Sequence, residues 1–297
     1  MNRVVLGAVS LLLLGIGAYL LLAPKAPEPQ VLQGEEKLQW GTYAGTPGGI
    51  EAFEELVGKT VDIAATFVGF DEPFPTEFAA TSAGKGKVLL IFLEPSTGHE
   101  EVLSGMFDDD LRAFAAAAAE YGQPIILSPF NEPNLDEEIW GFGVGSNTKE
   151  NFIEAWRHIH GIISQAPNIK WAIAFNNISI PEDSENTFET LYPGDAYVDY
   201  VGVDGFNGMS DEDPWASPQE VFDSSIEELK KFNKPIYIFS VSSKEDPRKA
   251  QWITDFFAWM KSRPEIKGFV WFNENKERDW RIDSDEASLA AFIQGLN

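Results

Sequence analysis

From Leu38 onward, short apolar runs alternate with longer stretches in which apolar positions recur every three to four residues. The first pattern is that of buried strands and the second that of amphipathic helices. The strand candidates are Leu38–Ala44, Val61–Phe67, Lys87–Leu93, Pro124–Phe130, Ile169–Phe175, Val198–Val203, Pro235–Phe239 and Lys267–Phe272. Helical patterns lie at Gly49–Leu56, Asp108–Tyr121, Lys149–Gln165, Pro218–Lys231, Arg248–Ser262 and Glu286–Leu296, with weaker ones after the second and fifth strands. Local signals mark some ends. Ser217 before Pro218 reads as an N-cap followed by proline in the first turn, and Gly122 reads as a C-terminal glycine. Eight strands alternating with helices over residues 38–297 predict an α/β fold of the (β/α)8 TIM-barrel type. A doubly wound open sheet is the competing architecture, but no glycine-rich phosphate loop follows any strand.

Ahead of this domain the pattern changes. Residues 4–22 carry no charge, Arg3 precedes them, and Ala23-Pro24-Lys25-Ala26-Pro27-Glu28-Pro29 follows. The run is longer than the usual apolar segment of a cleaved signal peptide, so an uncleaved signal-anchor helix over 1–22 is favoured over a cleaved peptide. A Pro-rich linker over 23–37 would lead into the barrel. That arrangement predicts a single-pass protein at the cell membrane with its barrel outside the cytoplasm, or a secreted protein if the segment is removed.

Composition narrows the function classes. The 47 acidic and 22 basic residues give a formal charge of −25, which disfavours nucleic acid and anionic surfaces as partners. Cysteine is absent, which excludes disulfides, thiolate metal sites and a cysteine nucleophile. With three histidines and none at a strand end, neither a metal centre nor any other cofactor is expected. A metal-dependent barrel hydrolase is therefore the weakest reading. Nothing in the pattern calls for an oligomer, and a monomer is expected.

In a (β/α)8 barrel the chemistry sits past the C-terminal ends of the strands. Asn131 and Glu132 follow the fourth strand, where Glu132 is placed to act as a general acid/base. Tyr43 and Trp40 flank the first strand, Asn176 ends the fifth, Asp204 the sixth, Ser240 the seventh and Trp271 the eighth, with Trp140 in the loop after the fourth. Aromatic rings that can stack on sugar faces, mixed with Asn, Asp and Glu that can bond hydroxyls, suit a glycan cleft.

The order Asn131-Glu132, then Tyr192-Pro193-Gly194-Asp195 through Asp204-Gly205-Phe206-Asn207, then Lys234-Pro235-Ile236 and Trp271-Phe272, resembles glycoside hydrolase family 26 over roughly residues 38–295. This is an endo-β-mannanase-like family of the large retaining clan. The resemblance implies a polysaccharide or oligosaccharide partner, a β-mannan or related β-glycan. It implies Glu132 as acid/base, a Glu at the position of Ser240 as nucleophile, and Trp271 beside the reacting sugar. Asn131, Trp40, Tyr43, Asp204, Asn176 and Trp140 complete the expected substrate contacts. Ser128 and Asn131 stand where the family carries Arg and His.

Ser240 is the important departure. Retaining hydrolysis needs two carboxyl groups about 5 to 5.5 Å apart. Serine supplies no negative charge to an oxocarbenium-like transition state, and loss of that charge costs on the order of a thousandfold in rate. The residues leave three readings open. The chain is an engineered nucleophile replacement of an active enzyme, a natural glycan-binding or cell-envelope pseudoenzyme, or an enzyme in which Glu94, Asp204, Glu245 or Glu274 substitutes.

Overall fold

The computed structural model describes residues 37–45, 47–83, 86–209 and 213–297. The expected signal anchor and nearly all of the linker lie outside the described residues. Among the described residues no helix is long and apolar enough to cross a membrane.

Eight strands form one closed, all-parallel barrel in sequence order: β1 (Gln39–Tyr43), β2 (Ile63–Gly69), β3 (Val88–Glu94), β4 (Ile125–Pro129), β5 (Ile169–Asn176), β6 (Tyr200–Asn207), β7 (Ile236–Ser243) and β8 (Ile266–Phe272). Between and after them run α1 (Pro47–Val57), α2 (Thr76–Ala83), α3 (His99–Leu103), α4 (Asp108–Tyr121), α5 (Lys149–Ile163), α6 (Pro218–Leu229), α7 (Lys249–Lys261) and α8 (Glu286–Gly295). The strands and the stronger helical patterns fall where the periodicity places them, with ends differing by a few residues. The weak pattern after the fifth strand forms no helix; residues 177–199 cross to β6 as turns.

The helix ends have identifiable causes. Ser217 accepts from the Glu220 N–H while the Glu220 side chain accepts from the Ser217 N–H, and Thr148 and Asn151 make the same reciprocal pair at α5. Gly122 ends α4 with φ 68°, a left-handed conformation in which glycine avoids the Cβ clash.

Alternation along each strand divides the side chains between two layers. Leu89, Ile91 and Leu93 of β3, Val201 and Val203 of β6, and Phe269 and Trp271 of β8 join the helices in the outer hydrophobic layer. The intervening residues face the lumen. One register change alters which side chains reach the lumen near the rim. Val203 pairs with Ile238 but Asp204 pairs with Ser240, and on the other side Ile238 pairs with Phe269 but Val241 with Trp271. Strand β7 therefore carries one extra residue at Phe239. Gly202 opposite makes room, since a Cβ there would come within 2.3 Å of the Phe239 ring. Without that bulge, strict alternation from Ile238 would turn Ser240 toward the helices; with it, Ser240 shares the lumen face of Asp204.

Candidate active site

The site is assembled at the C-terminal rim of the barrel. Asn176 pairs with Asp204 in the β5–β6 register, and Asp204 with Ser240 in the β6–β7 register, so the three stand in a row on one face of adjacent strands. Glu132 reaches this row from the loop after β4, and its Oε1 accepts a hydrogen bond from Asn176 Nδ2 at 2.6 Å. The backbone there is unusual: Phe130 and Glu132 have φ of 51° and 52°. Non-glycine residues in the left-handed region are uncommon and cluster at functional sites. Trp140 Nε1 donates to the Asn131 carbonyl at 2.8 Å, and the Glu132 N–H donates to the Ala174 carbonyl at 2.9 Å, which fixes the loop.

Three carboxyl groups converge here. Glu132 keeps a partly accessible surface toward the cleft, but protein surrounds its carboxyl on the other sides. Burial pushes that carboxyl up to about 7, against the lowering effect of the Asn176 bond; Glu138 and Glu137 push in the same direction as burial. Glu94, at the end of β3, is also raised to about 7, by burial first and then by Glu138 and Glu132. Asp204 is 1% exposed and held well above the usual carboxylate range by burial and by Glu132. Neither of its oxygens has a well-formed hydrogen bond; the Asn131 side chain and the Ser240 N–H are close enough only to ease its charge. A buried carboxyl without a cation protonates rather than carry its charge. Asp204 is therefore biased toward its neutral form, while Glu94 and Glu132, near 7, are poised to give or take a proton.

The aromatic lining differs from the sequence expectation. Tyr43 does face the site: its ring stacks on Phe272 at 5.0 Å, Phe272 meets Phe206 edge-on at 5.7 Å, and the charges of Glu274, Lys276 and Glu94 act on its hydroxyl. Trp271 does not. It is 0% exposed in the outer layer against Trp252, Phe256 and Phe292, because alternation turns it away from the lumen when Phe272 points in. Trp40 likewise packs against Phe53 and Phe292. Both are corrections: rings covered on these faces are helix–barrel packing, not sugar platforms. Trp140 is buried as well and acts through its bond to Asn131 rather than as an open platform. Phe272 and Phe206, which the sequence reading does not single out, take the lumen positions; the period-two pattern of β8 is the signal that could have found Phe272.

Of the carboxylates considered as substitutes at position 240, Glu94 and Asp204 lie in the cluster. Glu245 instead accepts from the Asp279 N–H at 3.0 Å. Glu274 lies beside Gly45 and Tyr43 at the edge of the rim. Ser128 is fully buried with its Oγ unpartnered. No group of three potential metal ligands is found among the described residues. A cavity of about 640 Å³ opens elsewhere, between the β5–β6 crossing and α6, lined by Ser179, Glu182, Asn186 and Glu228 among others, and none of the rim carboxylates contributes to it.

A barrel with a carboxyl after β4, an Asn and an Asp at the ends of β5 and β6, and a strand-seven position on the same face is an arrangement that can be compared with known proteins. The model of glycosyl hydrolase family 26 matches residues 77–226, half of the chain. The chain belongs to this family. It is 33% identical over 274 residues to endoglucanase H of Acetivibrio thermocellus, an alignment covering 87% of this chain but only 30% of that protein. Among solved structures, the catalytic domain of a family 26 endo-β-1,4-mannanase from Bacillus sp. JAMB-750 matches with a TM-score of 0.67 at 16% identity, over 88% of this chain and 85% of that one. A Bacillus subtilis mannanase matches with a TM-score of 0.63, also at 16% identity, over 88% and 86%. At such identities the structural likeness speaks for the fold alone.

Proposed function

We propose that this family 26 barrel binds a β-linked polysaccharide, a β-mannan or related β-glycan, across the rim of the strands. Glu132 is the general acid/base, and the nucleophile position is occupied by Ser240. The observation that carries the reading is the row Asn176–Asp204–Ser240 on one lumen face, with Glu132 bonded to its first member. A carboxyl raised to about 7 is suited to protonate a leaving oxygen and then to deprotonate water. What is missing is a charged group to attack or stabilise the anomeric centre. Asp204 is an ill-suited replacement, because burial and Glu132 bias its carboxyl toward the neutral form, a poor nucleophile and a poor partner for a cation. With serine at 240, the barrel holds glycan and turns it over slowly or not at all.

A purely non-catalytic, glycan-binding reading is favoured by a second observation. Ser128 is fully buried with its Oγ unpartnered and Ser240 is nearly as buried, and both stand where the resemblance leads one to expect an ionised side chain, an Arg and a Glu. The N-terminal apolar run supports a barrel tethered outside the cytoplasm, and the reading assigns a monomer.

Replacing Ser240 with Glu separates the readings. The variant and the parent are assayed on β-mannan, mixed-linkage β-glucan and xylan oligosaccharides, with affinity electrophoresis reporting binding. Under the acid/base reading, Ser240→Glu gains hydrolysis by about a thousandfold or more over the parent. A folded Ser240→Glu protein that binds glycan without cutting it leaves the non-catalytic reading standing alone.

A further inference from the structure

We propose that Asn134 is a positioning residue for Glu132, acting through Asn176 by continuing the β4–β5 ladder with its side chain. The backbone pairing of β4 with β5 runs only from Ile125↔Ile169 to Leu127↔Trp171. Past Pro129 the chain turns through Phe130 and Glu132, and the C-terminal end of β5, paired with β6 on one side, is left without a strand on its β4 side. Asn134, 0% exposed, fills that place. Its Oδ1 accepts from the Asn176 N–H at 2.8 Å, and its Nδ2 donates to the Asn176 carbonyl at 3.0 Å and the Ile178 carbonyl at 2.8 Å, with Ser179 Oγ at 3.2 Å. A primary amide presents the same donor and acceptor as a peptide group, so the side chain serves Asn176 as a neighbouring strand would. The bonds also fix which end is which: the oxygen faces an N–H and the nitrogen faces carbonyls.

The constraint passes outward and inward. On the outer side the Asn134 carbonyl accepts from Asn186 Nδ2 at 3.0 Å and from the Ile180 N–H at 2.9 Å, tying the loop after β4 to the loop after β5. On the inner side the Asn176 backbone is held at both its donor and its acceptor. Asn176 Oδ1 is occupied by the Ile178 N–H at 3.0 Å, which leaves Nδ2 directed at Glu132. Asn176 is thus aimed by Asn134, two residues from the carboxyl it serves. Serine at 134 lacks the paired donor and acceptor, and alanine lacks both.

The inference rests on Glu132 being the functional carboxyl, so the test reads Glu132 itself rather than turnover. The full chain, labelled at glutamate carboxyl carbons, is titrated by NMR, with the Glu132 signal assigned from its absence in Glu132→Gln. Glu94, Asp204, Glu137 and Glu138 interact with the group, so its midpoint is compared between variants. Asn176→Ala removes the donor and raises the midpoint by about one pH unit. Asn134→Ala and Asn134→Ser shift it in the same direction, and the double variant Asn134→Ala/Asn176→Ala moves it no further than Asn176→Ala alone. An Asn134 variant that folds and leaves the midpoint unmoved, or shifts that add, overturns the proposal. A measurement on the unmutated chain guards against variants that fail to fold: the side-chain amide signals of Asn176 and Asn134 should both follow the Glu132 midpoint, and an Asn134 signal flat across it refutes the coupling. Failure of Ser240→Glu to hydrolyse glycan would defeat the functional reading and leave this titration intact.

Discussion

Glu132 should weaken the fold at neutral pH, and replacing it with glutamine should make the protein more stable. Its carboxyl ionises near 7 in the folded state against an ordinary 4.5, chiefly through burial. For a raised carboxyl the sign is fixed: its favourable contribution is fully present below 4.5 and is lost as pH rises through about 7. At about 1.4 kcal/mol per pH unit the gap corresponds to about 3 kcal/mol, and the solvent on the cleft side brings this down to about 2. Glutamine keeps the shape, accepts the Asn176 bond and never ionises. Urea unfolding of both proteins between pH 4 and pH 8, followed by the fluorescence of the nine tryptophans, gives the difference curve. The advantage of Glu132→Gln should start near zero at pH 4 and reach about 2 kcal/mol by pH 8. Subtracting the curves removes most of the contribution of the other acidic residues; what remains is the easier ionisation of Glu94 and Asp204 once their neighbour is neutral. Parallel curves, or a parent more stable than the variant at pH 8, would refute the claim that this carboxyl is held against its ionised form.

Two further outcomes test the layering. Trp271→Ala should cost about 3 to 5 kcal/mol in urea unfolding, as expected for a fully buried Trp, with glycan affinity unchanged in the folded fraction. Phe272→Ala should lower glycan affinity by about 1 kcal/mol in affinity electrophoresis at a smaller cost to stability. Lys249, fully buried, donates to the carbonyls of Asp279 at 2.9 Å and Arg281 at 2.7 Å and so holds the β8–α8 loop. Lys249→Met takes the Lys donor from the Asp279 carbonyl and leaves the Arg281 carbonyl only the Ser284 N–H at 3.3 Å, and should cost about 2 to 3 kcal/mol, read as a lower urea midpoint.

The barrel was legible because each strand announces itself as an apolar run and the helices between them carry end signals at Ser217 and Gly122. Position along the chain also sufficed to place Glu132, Asn131, Asn176 and Asp204 at the rim, since the end of a strand is a place that sequence can specify. Direction was harder. Trp40 and Trp271 sit at strand positions that a glycan cleft could use, but which face they take depends on counting alternation from a known neighbour. At β7 the count itself changes at Phe239. Asn134 was not legible at all: an asparagine after Glu132 reads as a turn residue, and only the missing strand beside β5 reveals it as a substitute for backbone.

The extra residue in β7 also bears on how such a barrel can change its chemistry. Around Ser240 the ladder slips against both neighbouring strands, so the side chain at 240 is presented to the lumen by a local bulge rather than by the regular alternation of the strand. A substitution there can exchange reactivity while the barrel stands. Folding and turnover are separate demands on a family 26 barrel, the first met by the strand ladder and the second by the side chains that its rim presents.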